Sequence, residues 1–423
     1  VSLKEKWEQE HKDIINRMQN RLADELSNKP ITLNDVYNAY TGSGIYIEDT
    51  RRIDVGLAVL ANAKLNGLPI WLQFVGASGD IKTTLLETME IPEETFVLYK
   101  ITPRTLITGK DDEGAGDLVQ YTWNKTVIIF DLAEIMSKKV DDKDAIFAQM
   151  RNWYDGRLGG SFGTGANKDV TGKPPQMLIG CTPTIKSEFL MNQHLGTREL
   201  MYEVDTDSDK GAEAALRIAE AGNWRTIISD IKFIVYAFWK GLKPLPSDFR
   251  IPPEVRAKLM SMAKDLALWR VTAKVDWYNG DLITKPTVEK HTRLIQQFYQ
   301  MYKALKMLDE NYPDDRALEI IAHIVDSSCD EYLKKVYQLL GKSSVDENVS
   351  AVGMKTSEVC QALKLSYKTA KVRLNILWSL GVIDREELEE GYKTTHYWRF
   401  AGTWDKFDGV AVEEPMKDEA QAW

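Results

Sequence analysis

The stretch Leu72-Gln73-Phe74-Val75-Gly76-Ala77-Ser78-Gly79-Asp80-Ile81-Lys82-Thr83-Thr84-Leu85-Leu86 decides how this chain is read. A continuous apolar run bounded by Pro69 and Gly76 has the character of a strand buried on both faces. The glycine-bearing loop from Gly76 leads at once into Lys82-Thr83 and a helical pattern. Strand, loop, Lys-Thr and helix in that order form the context of a phosphate-binding P-loop. In such a loop the backbone N–H groups of residues 76–84 face phosphate oxygens. Lys82 neutralises the outer phosphates and Thr83 ligates Mg²⁺. The expected ligand is a nucleoside triphosphate, ATP carried with Mg²⁺.

One departure stands inside the motif. The pattern wants glycine directly before the lysine, and this chain has Ile81, preceded by Asp80. A Cβ and a carboxylate there are expected to crowd the phosphates and oppose their charge. A degenerate loop that no longer turns over ATP therefore stays open beside hydrolysis.

Further along, KTVIIFDLAEI reads as a second buried strand that ends in Asp131, the carboxylate expected at the Mg²⁺ site. The next residue is Leu132. Glu134, three positions past the aspartate, is the candidate for orienting water, and equally an ordinary acid at a helix start. Strand patterns at 95–101 and 176–181, with helical stretches IKTTLLETME and DAIFAQMRNWYD between, give alternating strands and helices. That alternation predicts an α/β fold with a mostly parallel sheet. From about residue 210 the pattern turns helical through four amphipathic segments, read as a lid.

The remaining features set limits. A chain of 423 residues exceeds one compact core, so two or three domains are expected. Apolar residues at 43% and charged residues at 28% are ordinary, and no apolar run of roughly 18 residues marks a membrane span. The start, VSLKEKWEQEHKDIINRMQNRL, has the pattern of a charged amphipathic helix without a signal-peptide core. The expectation is a cytoplasmic protein with no membrane partner. Cys181, Cys329 and Cys360 lie far apart, against a disulfide framework or a zinc site. A net charge of −9 argues against a chain coated in nucleic acid but is compatible with a local basic surface.

The expected organisation is a helical extension over 1–50, an α/β ATPase core over 51–205, and a helical lid over 206–340. A linker over 341–353 leads to a compact unit at 354–402 and an acidic tail at 403–423. The compact unit reads as a short helix, a longer helix opened by Ser366, and a β-rich hairpin, the winged-helix order. Tyr367, Lys368 and Lys371 fall at the exposed start of the longer helix and Lys393 in the hairpin, places suited to DNA phosphates. Asp384, Glu386, Glu387, Glu389 and Glu390 would repel DNA locally and suit a protein-docking module as well.

The order of P-loop, ITPRTL, IIFDLAEI, MRNWYDG, a Gly-rich segment, IGCTPTI and LGTREL resembles the AAA+ ATPases of phages and mobile elements, akin to minichromosome-maintenance-type helicases. The likeness runs over roughly residues 50 to 310. It implies that Thr182 senses the γ-phosphate and that Arg198 is an arginine finger reaching a neighbouring subunit's nucleotide, hence a ring or other oligomer. Arg293, or failing that Arg270, corresponds to a lid-borne sensor. The Gly-rich segment matches a hairpin directed into a ring pore, with Arg157 and Lys168 on DNA. The implied function is an ATP-driven DNA motor, most plausibly a replicative helicase with single-stranded or duplex DNA and replication proteins as partners, in the host cytoplasm if phage-encoded. A scaffold without ATP turnover and a winged-helix DNA-binding regulator are the competing readings.

Overall fold

A computed structural model describes residues 20–21, 30–77, 79–108, 117–163, 167–186, 198–204, 208–271, 273–276, 278–343, 353–390 and 393–401. Ser78, most of the expected extension and linker, His194–Thr197 and the tail lie outside the described residues.

Two helices, α1 (Leu33–Gly42) and α2 (Arg51–Asn62), precede the first strand. Thr32 and Asp35 close a reciprocal cap at the start of α1, satisfying two of its otherwise orphaned backbone donors. The strands β1 (Trp71–Val75), β2 (Thr95–Val97), β3 (Thr126–Ile129), β6 (Gln176–Cys181) and β7 (Glu199–Glu203) form one sheet in the order β2-β3-β6-β1-β7. All its pairings are parallel. Register sets Val75 beside Cys181 and Glu203, so the carboxyl ends of β1, β6 and β7 share one edge.

Alternation along the strands divides the core. Leu72, Phe74, Leu178, Leu200 and Tyr202 face a cluster with α2 and the later helices. Trp71, Val75, Ile129, Ile179 and Met201 face a second cluster with α4 (Ala133–Met136) and α5 (Val140–Tyr154). Both faces are covered, which is why β1, β3 and β6 are predominantly apolar and buried along their whole length. The Gln176 side-chain oxygen accepts from Asn62 Nδ2 and from the Ile70 amide, each at 2.7 Å, and ties α2 to the entrances of β1 and β6.

The short helix α3 (Lys82–Thr88) follows β1, and the hairpin β4 (Arg157–Ser161) and β5 (Asn167–Thr171) stands between α5 and β6. After β7 come α6 (Ser208–Ala221), α7 (Trp224–Gly241), α8 (Pro253–Trp269), α9 (Thr292–Leu308) and α10 (Asp314–Ser328). The outer side of β7 is an edge whose amides need partners. Ser328 Oγ accepts from the Met201 amide at 2.8 Å, and Ser327 Oγ from the Glu203 amide at 3.0 Å.

Contacts divide the chain into two units, one from the residues up to Arg270 with Val288–Cys329, the other from Val271–Thr287 with the residues from Asp330 onward. Helix α11 (Glu331–Ser343) groups with the C-terminal unit, and so does the 271–287 segment that interrupts the helices. The second unit continues with β8 (Met354–Lys355), α12 (Thr356–Leu363), α13 (Tyr367–Ser379), β9 (Ile383–Glu390) and β10 (Lys393–Phe400). Its sheet has the order β8-β10-β9. Trp398, buried on β10, donates from Nε1 to Thr356 Oγ1 at 2.9 Å, so it belongs to the core of this unit.

Candidate functional site: the carboxyl edge of the parallel sheet

The chain leaves β1 at Gly76, whose amide donates to the Cys181 carbonyl of β6 at 3.1 Å. Gly79 has a φ of +96°, the left-handed conformation that turns the loop toward α3. A Cβ on Gly76 would stand 2.5 Å from Asp80 Oδ2 and 3.0 Å from the Val204 carbonyl, so the Asp80 carboxylate lies inside the loop. The Ile81 side chain packs against the core cluster that includes α2 and the later helices. Of the two departures from the motif, Asp80 is the one that meets the space beside Lys82.

Lys82 is buried, and its ammonium donates to the Ala77 carbonyl of its own loop. Burial holds its pKa below the ordinary lysine value, against the opposing pull of Asp80, Cys181 and Asp131. Those couplings show Lys82 within electrostatic reach of Asp131 beyond β3 and of Cys181 at the end of β6. Burial pushes the Cys181 thiol up to about 12, with Asp131 adding to the rise and Lys186 and Lys82 opposing it. Asp131 is exposed, with Oδ1 accepting from the Ala133 amide at 2.8 Å. Thr83 is exposed and Thr84 half-buried at the start of α3.

The sequence reading missed a second lysine here. Lys186 is buried, pairs with Glu203 Oε1 at 2.6 Å, and donates its amide to the Thr182 carbonyl at 2.9 Å. No local pattern signals it, because its partner stands at the end of another strand. Thr182 Oγ1 accepts from the Ile185 amide at 3.5 Å. Glu134 is engaged away from the loop, with Oε1 on Lys138 at 2.6 Å and Oε2 accepting from the Ile101 amide at 3.4 Å.

The other sequence-derived positions fall elsewhere. Arg198 immediately precedes β7, at the opposite edge of the sheet, and pairs through Nη2 with Asp155 Oδ2 at 2.8 Å. Arg293 joins Glu289 at 3.8 Å and contributes to the electrostatics of Tyr154, on whose ring Arg198 also lies, 5.5 Å from the centroid. Arg270 is fully buried and donates to the Glu199 carbonyl at 2.6 Å. Burial lowers its pKa, partly offset by Glu289 and Glu199. These arginines gather where β7 begins, whereas Lys82 stands beyond where β1 ends.

The Gly-rich stretch does form a hairpin, with both basic candidates matched by acids. Arg157 makes two bonds to Asp169, at 2.9 and 2.7 Å, and Lys168 pairs with buried Asp117 at 3.1 Å. In the C-terminal unit Tyr367 is 62% exposed and Lys371 pairs with Asp281 at 2.7 Å. The backbone of Lys393 opens β10 opposite Glu390. A Cβ built on Gly280 would stand 3.2 Å from Lys368 Cγ.

Fold and site together define an α/β protein with a P-loop-like turn between the central strand and its helix. Among the described residues no helix is long and apolar enough to cross a membrane. No family model matches the chain, and no curated protein matches it. Among solved structures, an SCCmec type IV Cch active helicase is similar over 88% of this chain and 71% of its own, at 11% identity and a TM-score of 0.37. The apo C-terminal region of NrS-1 is similar over 88% and 77%, at 11% identity and a TM-score of 0.38. A likeness of that size leaves fold and activity to be argued from the chain's own residues.

Proposed function

We propose that this chain is an ATP-hydrolysing P-loop motor of the AAA+ kind that acts on DNA as an oligomer, in the manner of a replicative helicase. The observation that carries the reading is the convergence of Lys82, Asp131 and Thr182 at the carboxyl edge of β1, β3 and β6. In an open α/β sheet the crevice at that edge, where connections leave in opposite directions, is where ligands bind. β1 leads toward the β2 side of the sheet and β6 toward β7.

In this reading the loop amides and Lys82 hold the phosphates of ATP, with Lys82 exchanging the Ala77 carbonyl for a phosphate oxygen. Thr83 and Asp131 are the residues that would hold Mg²⁺, which supplies charge neutralisation on the phosphates. Thr182 follows the end of β6, the strand between β1 and β3, and is the residue that would hydrogen-bond the terminal phosphate. Arg198 and Arg293, at the other edge, act on the nucleotide of an adjacent subunit. The unit from β8 to β10 has winged-helix order, and with the β4–β5 hairpin it provides the DNA-contacting elements.

The test is steady-state ATP hydrolysis by the purified chain, with and without single-stranded and duplex DNA, beside Lys82→Ala and Arg198→Ala. DNA-stimulated turnover lost in both variants supports the motor. Turnover no higher than that of Lys82→Ala in every condition sinks it. The second reading, a nucleotide-degenerate scaffold or DNA-binding regulator, would then stand. It is favoured by the Asp80 carboxylate inside the loop and by the engagement of Glu134 with Lys138.

A further inference from the structure

The 271–287 segment is a short hairpin carried within the C-terminal unit. Val275 and Leu282 bridge its arms, and the Asp276 amide donates to the Asp281 carbonyl at 2.7 Å. Asp276 Oδ1 accepts from the Tyr278 amide at 2.6 Å, which fixes the turn. Its tip lies on α13: a Cβ on Gly280, which has a φ of +75°, would come within 3.4 Å of Val372 Cγ2. The positive φ is a conformation that favours glycine at this turn.

At the tip Lys371 is engaged twice. Its ammonium meets Asp281 Oδ1 at 2.7 Å and the Asn279 carbonyl at 3.3 Å. Lys371 and Asp281 belong to a cavity of about 290 Å³ also lined by Lys355, Arg385, Ser357 and Thr395. Lys355, Lys371 and Arg385 share this lining with the hydroxyls of Ser357 and Thr395, and among the described residues Asp281 is its one carboxylate. Lys355 lies over the Tyr397 ring at 5.3 Å and Arg385 over the Trp378 ring at 3.8 Å, so aromatic neighbours outside the lining restrain both cations. Arg385 also pairs with Glu387 on the same strand at 2.9 Å. Cations and hydroxyls converging on a concave space are the donor set that binds phosphate oxygens. An anionic oxygen from the hairpin already occupies Lys371.

We propose that this cavity binds a backbone phosphate of DNA and that the 271–287 hairpin is its built-in competitor, Asp281 holding Lys371 until a phosphate replaces it. The inference rests on the reading of the chain as a DNA-acting protein, and adds where a phosphate sits and what must move. Asp281 is 52% exposed at its side chain, and an ion pair at that exposure holds weakly enough to be displaced.

The experiment is fluorescence anisotropy with labelled single-stranded and duplex oligonucleotides. It uses the full chain as wild type, Asp281→Asn, Lys371→Ala and the double variant, each first checked for an unchanged melting profile. Asp281→Asn is expected to bind roughly two- to fivefold more tightly, the fold-change an exposed pair is worth. Its salt dependence should steepen by about one unit as Lys371 becomes available to a phosphate. Lys371→Ala should weaken binding, and the double variant should match it. An Asp281→Asn affinity equal to wild type overturns the proposal. So does a gain that survives in the double variant, since it would reflect only the loss of a negative charge. Either result leaves the DNA-acting reading standing, whereas absence of binding by wild type and every variant fails that reading and this one together.

Discussion

The guanidinium of Arg198 rests on the carboxylate of Asp155, Nη2 to Oδ2 at 2.8 Å, across the sheet from Lys82. Its carbonyl accepts from Gln297 Nε2 at 2.6 Å, while among the described residues its buried Nε has no hydrogen-bond partner. The backbone is fixed, and the side chain is held by the Asp155 bond and the Tyr154 ring. Arg198→Ala is expected to lower DNA-stimulated ATP turnover by roughly 10³-fold or more, the scale of an arginine finger. Mixing Lys82→Ala and Arg198→Ala chains should recover part of the activity, because some mixed interfaces join an intact loop to an intact arginine. No recovery in a titration of one variant into the other would remove the trans role.

Asp131 and Glu134 should part company on substitution. A positioned general base contributes roughly 10²–10⁴-fold, but Glu134 is held by Lys138 and the Ile101 amide. Glu134→Gln is therefore expected to cost less than about tenfold in turnover, and Asp131→Asn to abolish it. A hundredfold or larger loss in Glu134→Gln would show that the Lys138 bond is given up in the working state.

Cys181 makes folding stability sensitive to alkaline pH. Its folded pKa of about 12 lies above the ordinary thiol value, so the unfolded chain releases the proton first. The contribution is present in full below that ordinary value and is lost as pH climbs from there toward about 12. Urea denaturation from neutral to alkaline pH should show a fall that Cys181→Ala reduces. Identical pH slopes in the two proteins would refute the coupling.

A buried acid supports the helices around β1. Asp54 accepts from Tyr312 Oη at 2.5 Å and Arg316 Nε at 2.7 Å, and pairs with the Tyr37 hydroxyl as well. Burial, reinforced by Asp54, raises the pKa of both phenols. Asp54→Ala leaves a guanidinium and two hydroxyls without their acceptor, and is expected to cost ~3–5 kcal/mol in chemical denaturation. A change below about 1 kcal/mol, the scale of an exposed pair, would mean that water replaces the carboxylate.

The parallel sheet was legible where strands are buried on both faces. The runs at β1, β3 and β6 are predominantly apolar and buried from end to end, and they announce themselves. β7 did not, because Glu-Leu-Met-Tyr-Glu begins and ends on acids whose environment is set by distant groups. The Glu199 side chain accepts from the Arg198 amide at 3.0 Å, and Glu203 pairs with Lys186. Lys82 and Asp131 could be named from spacing alone, since strand ends place them. The inward packing of Ile81, the Arg198–Asp155 bond and the allegiance of 271–287 depend on contacts between residues far apart in sequence, which no local pattern encodes.

The interruption of the helices by 271–287 has a topological consequence. The polypeptide passes between the two units after Arg270, again before Val288, and a third time after Cys329. A single nick between Cys329 and Asp330 would sever one of these passages and leave the hairpin covalently joined to the first unit on both sides. A fragment beginning at Asp330 would lack the Asp281 and Asn279 groups that engage Lys371. Proteolytic release of the complete C-terminal unit therefore requires cuts at three separate places, so these two parts of the molecule are spliced together rather than strung in series.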